Sequence, residues 1–217
     1  MLKGKPYHWE EIPGYLPEKP GVYAWYSVPD IPEYDIRVCI SQSTQLIEQG
    51  KPKEAAERVR KLISSSVLDK MAPPPYDVRV TGPLMPGYSG QIGFEDSMDL
   101  DVLLRLAQDP VRLHALGHAL KQSVPYFTAP LYIGMSGNLR ERLQGHKNLI
   151  EPSNQNSLSP YNEMIIEDQN FASEIKRRGI ISSSLVVYVS EQVDNTQAAR
   201  DIEYILNRST FPVLGRR

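Results

Sequence analysis

The spacing of apolar positions changes several times along the chain, and each change predicts an element. Val22-Tyr23-Ala24-Trp25-Tyr26-Ser27-Val28, bounded by Pro20-Gly21 and Pro29-Asp30, has the β-branched and aromatic content of a strand. Leu131 to Met135 predicts a second sheet member, and the nearly continuous apolar run Leu185-Val186-Val187-Tyr188-Val189 predicts a central one. Asp35-Ile36-Arg37-Val38-Cys39-Ile40 alternates through Val38 and predicts a further strand. Tyr7 to Lys19, with Pro13 and Pro17 among Tyr7, Trp9 and Tyr15, reads as an irregular N-terminal wrap.

Helical spacing governs most of the rest. Thr44 to Met71 is expected to be helical with a break at Gly50-Lys51-Pro52 and a stripe of Ala55, Ala56, Val59, Leu62 and Ile63; Ala72-Pro73-Pro74-Pro75 stops it. Tyr76 to Phe94 is expected to be extended or looped, with Asp77 to Thr81 its best strand. Asp99 to Gln122 predicts a helix or helix pair, Pro110 opening the second piece. Glu151 to Ser157 is polar and expected to be mobile, and Met164-Ile165-Ile166 short and partly buried. Phe171 to Arg178 forms a helix whose terminal Lys176, Arg177 and Arg178 suit its dipole, with Gly179 as its cap. Asn195-Thr196 caps a last helix to about Asn207, predicted to turn Ala198, Ile202, Ile205 and Leu206 to the core and to set Glu203 and Asn207 on the adjoining face.

Composition narrows the class. With 217 residues, 41% hydrophobic and 23% charged, the chain is that of a cored globular domain with an elaboration, which its 18 prolines also suggest. Twenty-four Lys+Arg against 26 Asp+Glu give a formal net charge of -2, so any nucleic-acid contact must rest on local patches. The single Cys39 sits in an apolar run and points to a reducing, cytoplasmic setting; no stretch has the length of a membrane span and no signal-like apolar run follows Met1 to Pro6.

Candidate chemistry concentrates in Leu131 to His146. If a helix opens at the capping residue Asn138, Arg142 and His146 lie one turn apart on one face and Leu139 and Leu143 on a neighbouring one. A guanidinium beside an imidazole at the rim of a strand-to-helix turn suits a phosphate; a plain solvated helix face is the alternative. His114 and His118 have metal-ligand spacing, but no third ligand stands nearby and their apolar neighbours favour a packed helix. The Gly-rich phosphate loop of nucleotide-binding enzymes is absent from the sequence.

Gly21-Val22-Tyr23 on one strand, Tyr132-Ile133-Gly134 on another, Arg142 ten positions past Tyr132, His146 four further and Glu203 on a late helix together resemble the GIY-YIG nuclease superfamily. Val22 replaces the isoleucine of the first tripeptide; the second is intact. The resemblance covers about residues 20–28, 130–150 and 184–215. It implies an α+β fold in which a small, mostly antiparallel central sheet is flanked by helices, one domain over 1–217. Where the family joins its tripeptides by a short hairpin, this chain carries residues 29–129, expected to form a large, mainly helical insertion that grips or reads substrate. The family also places an asparagine after the proline that follows the glutamate helix. The nearest position here is Gly215, while Asn207 lies on the glutamate's own helix.

The activity implied is metal-dependent hydrolysis of DNA phosphodiester bonds, restriction-type or repair-type, with RNA a further candidate substrate. The resemblance gives Glu203 one divalent cation, Mg²⁺ or Mn²⁺, and Arg142 the phosphate charge. It sets Tyr132 or Tyr23 to activate water and His146 to relay a proton. Gly134, Ser136, Asn138, Arg140 and Lys147, on the same strand, turn and helix, are expected to meet the substrate. The competing reading is a nucleic-acid-binding or interaction module that keeps the fold without turnover; a phosphoryl-transfer or hydrolase activity on small molecules ranks last.

Overall fold

The computed structural model describes residues 6–72, 75–83, 87–93, 98–123, 126–152, 165–191 and 195–214, the side chains of 165–169 excepted. They form two compact units, one of residues 1–30 and 119–217, the other of residues 31–118. Among the described residues no helix is long and apolar enough to cross a membrane.

The first unit is built on a four-stranded antiparallel sheet. Its strands are β1 (Tyr7–His8), β2 (Gly21–Ser27), β5 (Tyr132–Ser136) and β6 (Leu185–Ser190), in the spatial order β1-β6-β2-β5. The apolar run at Leu185 does take an interior place, between β1 and β2. Register across β2 and β5 sets Tyr23 opposite Gly134 and Trp25 opposite Tyr132, on one face of the pleat. Helices α6 (Leu139–Ile150) and α7 (Ile165–Arg177) cover that face, with Leu139, Leu143, Phe171 and Ile175 buried. On the opposite face Val22, Ala24, Ile133 and Met135 pack on Ala199 and Leu206 of α8 (Thr196–Thr210).

Glycine is required at both ends of this arrangement. A Cβ on Gly21 would fall 2.4 Å from the Ser190 carbonyl oxygen and 2.7 Å from Leu139, and one on Gly134 would fall 2.5 Å from the Tyr23 hydroxyl. The two motif glycines therefore make room, the first for α6 and a neighbouring strand, the second for a tyrosine ring.

The N-terminal wrap is tied to α6. Trp9, Ile12 and Leu16 are buried, and backbone hydrogen bonds run from Leu139 to Lys19 and from Arg140 to Pro17. Trp9 Nε1 donates to Glu151 at 3.0 Å, so the residue that opens the polar segment is anchored. Residues 153–157 of that segment, and Met164, lie outside the described residues. Ile165 and Ile166 begin α7, which starts six residues earlier than the sequence pattern placed it.

The second unit is mainly helical: α1 (Glu33–Glu48), α2 (Pro52–Ile63), a π-turn at Ser64–Leu68, the short α3 (Asp69–Met71), a hairpin of β3 (Tyr76–Val80) and β4 (Tyr88–Ile92), α4 (Leu100–Gln108) and the first part of α5 (Pro110–Ser123). Its core gathers Cys39, Ala55, Ala56, Val59, Ile63, Leu103, Leu106, Ala107 and Leu113. The strand expected at 35–40 is instead the start of α1. Ile36, Cys39 and Ser43 are its buried residues, a helical spacing, and Glu33 and Asp35 suit its N-terminal dipole. Four residues of alternation could not outweigh that longer pattern. His114 Nε2 lies 2.9 Å from a Glu33 carboxylate oxygen, and its ring packs tilted beside that of His118, ring centroids 5.2 Å apart.

The last helix is also rotated from the expected phase. Ile202 and Ile205 are exposed, and the inward ridge runs through Ala199, Glu203, Leu206 and Asn207, at steps of four, three and one. Small Ala199, fully buried, brings the helix close to the sheet. Turning Glu203 and Asn207 inward leaves two isoleucines in water.

Candidate active site

Asn138 caps α6 through its side chain, accepting from the Glu141 N–H at 3.3 Å, and Ser136 locks the preceding turn by exchanging hydrogen bonds with the backbone of Asn138 at 2.8 and 3.0 Å. The helix so started aims Arg142 and His146 at the face of the sheet that carries Tyr23 and Tyr132. Both are buried, His146 completely. The solvated-face alternative is thereby excluded.

The Tyr23 hydroxyl is the hub. Arg142 Nε donates to it at 3.0 Å, and it lies 2.9 Å from His146 Nε2. His146 sits among aromatic rings, with centroids of Tyr23, Trp25, Tyr132 and Phe171 at 5.6, 6.1, 6.0 and 5.3 Å, each edge-on. Burial in that cage, reinforced by the Arg142 charge, holds the imidazole pKa well below its ordinary value, so the ring is neutral at pH 7. The Tyr23 oxygen accepts from Arg142 Nε and shares a hydrogen bond with His146 Nε2 whose direction is set by the imidazole tautomer. A guanidinium hydrogen-bonded to a phenol oxygen favours negative charge there, while burial and the Arg142 charge make the neutral imidazole a weak acceptor for the proton.

Tyr132 packs beside Tyr23 at 6.2 Å between ring centroids. Glu203 lies on α8, the helix packed on the opposite face of the sheet from α6. Its carboxyl is half-buried, and desolvation pushes its pKa up while the charges of Arg142 and Arg200 and a 3.4 Å hydrogen bond from Asn207 Nδ2 pull it down. All five residues proposed for catalysis from the sequence thus belong to the first unit, and Arg142 is electrostatically coupled to both the Tyr23 side and the Glu203 side. Glu203 offers a hard carboxylate oxygen of the kind a divalent cation accepts, whereas Asn207 turns Nδ2 to that carboxylate and keeps Oδ1, buried and with no hydrogen-bond partner among the described residues, on its far side. Among the described residues no three His, Cys, Asp or Glu side chains gather into a ready-made metal cage.

The residues expected to meet substrate have structural partners. Gly134 lies beneath the Tyr23 phenol, and Ser136 and Asn138 form the turn and cap. Arg140 donates to the Leu16 carbonyl at 2.8 Å and pairs with Glu18; Lys147 donates to the carbonyls of Trp9 and Ile12, each at 2.8 Å. These contacts fasten the wrap to α6. Arg200, an exposed cation in reach of Glu203, was not singled out in the sequence, although its position three residues before Glu203 puts it on a neighbouring part of the same helix surface. Gly215 lies outside the described residues. No family model, curated protein or solved structure matches the chain.

Proposed function

We propose that the chain is a GIY-YIG-type, divalent-metal-dependent endonuclease that hydrolyses DNA phosphodiester bonds. The observation that carries the reading is the Arg142–Tyr23–His146 hydrogen-bond chain, assembled from α6 and β2, with Arg142 also in electrostatic reach of Glu203. Distant pieces of sequence supply a proton-transfer pair, a fixed cation and a carboxylate, which are the groups phosphodiester hydrolysis requires.

In this reading Tyr23 passes its proton to His146 Nε2 as it takes one from the attacking water. Arg142 holds the phenol oxygen as negative charge develops on it. Burial and Arg142 both disfavour a lasting imidazolium, so His146 holds the proton transiently and the phenol–imidazole pair acts as one unit. When bound, a Mg²⁺ or Mn²⁺ ion at Glu203 supplies charge relief at the scissile phosphate. Tyr132 packs against Tyr23 and His146 and fixes the angle at which the hydroxyl emerges.

Purified protein with Mg²⁺ or Mn²⁺ is expected to nick supercoiled plasmid, and Glu203→Ala and Arg142→Ala to lose that activity. Undiminished cleavage by both variants would falsify the assignment. One observation favours a second reading, a DNA-binding module without turnover: Tyr23 is 1% exposed and His146 0%. Under that reading the protein binds DNA in a salt-sensitive way and cleaves none with either cation.

A further inference from the structure

We propose that α8 pairs with α8 of a second copy of this chain, antiparallel about a two-fold axis, through the stripe Ala198, Ile202, Ile205 and Ser209. The proposal concerns self-association and does not depend on the chemistry at Tyr23.

The stripe is what the inward turn of Glu203 and Asn207 leaves on the flank of the helix. Its steps of four, three and four residues are the spacing of a seam between two packed helices. Ile202 is 38% exposed and Ile205 63%, while Ala199 and Leu206 hold the same helix against the sheet. Two β-branched residues at adjacent seam positions thus keep apolar area in water that a facing helix would cover. Ser209 donates its hydroxyl to the Leu206 carbonyl at 3.2 Å, so it can be covered without stranding a donor.

The charges beside the stripe select the occupant. Asp201 and Arg208, seven residues apart, border its solvent side. Asp201 accepts from Gln197 Nε2 at 3.1 Å, and the Arg208 guanidinium carbon lies 3.7 Å from the centre of the Tyr204 ring. Neither contact involves an opposite charge. In a two-fold antiparallel pair, Ile202 of one copy packs on Ile205 of the other, and Ala198 on Ser209. Side chains lean about one residue toward the N-terminus of their own helix, which brings Asp201 of each copy level with Arg208 of the other. A parallel pair would set Asp201 level with Asp201 and Arg208 with Arg208. The ridge is therefore complementary to itself in one orientation. A seam this short belongs with small, weak interfaces, so the dimer is expected at micromolar concentrations and above.

The test is sedimentation equilibrium of the full chain across the micromolar range, with each variant's fold checked by circular dichroism. The unsubstituted chain is expected to show a monomer–dimer equilibrium, and Ile205→Asp to weaken it at least about 10-fold. Asp201→Arg and Arg208→Asp each set like charges across the axis and are expected to be monomeric alone. Mixed in equal amounts the two variants are expected to associate, because the mixed pair restores both ion pairs. An unsubstituted chain that stays monomeric throughout overturns the proposal and leaves the stripe to a partner of another kind. A dimer unmoved by Ile205→Asp places the contact elsewhere and also overturns it. Charge variants that fail to associate when mixed contradict the antiparallel pairing.

Discussion

The phenol of Tyr23 lies over the backbone of Gly134, its directly opposed partner across β2 and β5, so closely that a Cβ there would meet the hydroxyl at 2.5 Å and the adjoining ring carbon at 2.6 Å. Gly134→Ala must therefore push Tyr23 away from Arg142 and His146. The expected result is a destabilisation of about 1–3 kcal/mol, the usual range for overpacking, in urea unfolding, together with lost cleavage. A variant with unchanged stability and cleavage would show that the ring has room the structure does not give it.

Arg142 is expected to discriminate charge from geometry. Arg142→Lys keeps the cation near Glu203 but cannot reproduce the planar Nε–H directed at Tyr23. Arg142→Ala should lower the cleavage rate by about 100- to 1,000-fold, as loss of one preorganised donor does, and Arg142→Lys should recover only a small part of it. Full rescue by lysine in single-turnover kinetics would mean that the guanidinium acts as a point charge alone.

His146 gives a pH signature. Its folded pKa is depressed well below the ordinary value, so between those two values the unfolded chain binds a proton that the folded one does not. Stability is then full above about pH 7 and falls as pH drops below roughly 6.5. Urea unfolding should show about 1.4 kcal/mol lost to this one group between pH 7.5 and 5.5, a component missing in His146→Gln. Equal pH slopes in the two proteins would contradict a neutral, dry imidazole.

Glu203 has the opposite sign. Its carboxyl is raised by desolvation, so the ionised form opposes folding once pH exceeds the ordinary carboxylate range. Glu203→Gln is expected to raise the melting temperature at pH 7.5 by about 1–2 °C, the group being half-exposed and its electrostatics screened, and to have no such effect near pH 3.5. Lower stability at both pH values would show instead that the carboxylate is well satisfied.

How far the sequence foretold this structure depends on where each signal lay. The strands at Gly21 and Leu185 and the helix opened by Asn138 rest on local chemistry, and they formed within a residue or two of their expected bounds. The register Tyr132–Arg142–His146 placed both polar side chains on one face of α6, and the structure shows that face turned to the sheet. Two things could not be read locally. Alternation over Asp35 to Val38 suggested a strand, because four residues do not reveal a spacing that only Ser43 and the turns beyond it complete. The phase of α8 was missed by one residue because the pattern rewards burying Ile202 and Ile205, whereas the packing of small Ala199 against the sheet turned Glu203 and Asn207 inward. The roles of Arg140 and Lys147 depend on contacts with Leu16, Trp9 and Ile12, more than a hundred residues away along the chain.

Tyr23→Phe tests the central claim most directly, because it removes one oxygen from the Arg142–Tyr23–His146 chain and leaves the buried ring in place. Measured as single-turnover cleavage of plasmid DNA with saturating Mg²⁺ or Mn²⁺, the variant is predicted to fold and bind DNA as the unsubstituted protein does and to cleave at least about 100-fold more slowly. Cleavage at an undiminished rate, or no cleavage by the unsubstituted protein with either cation, would contradict it.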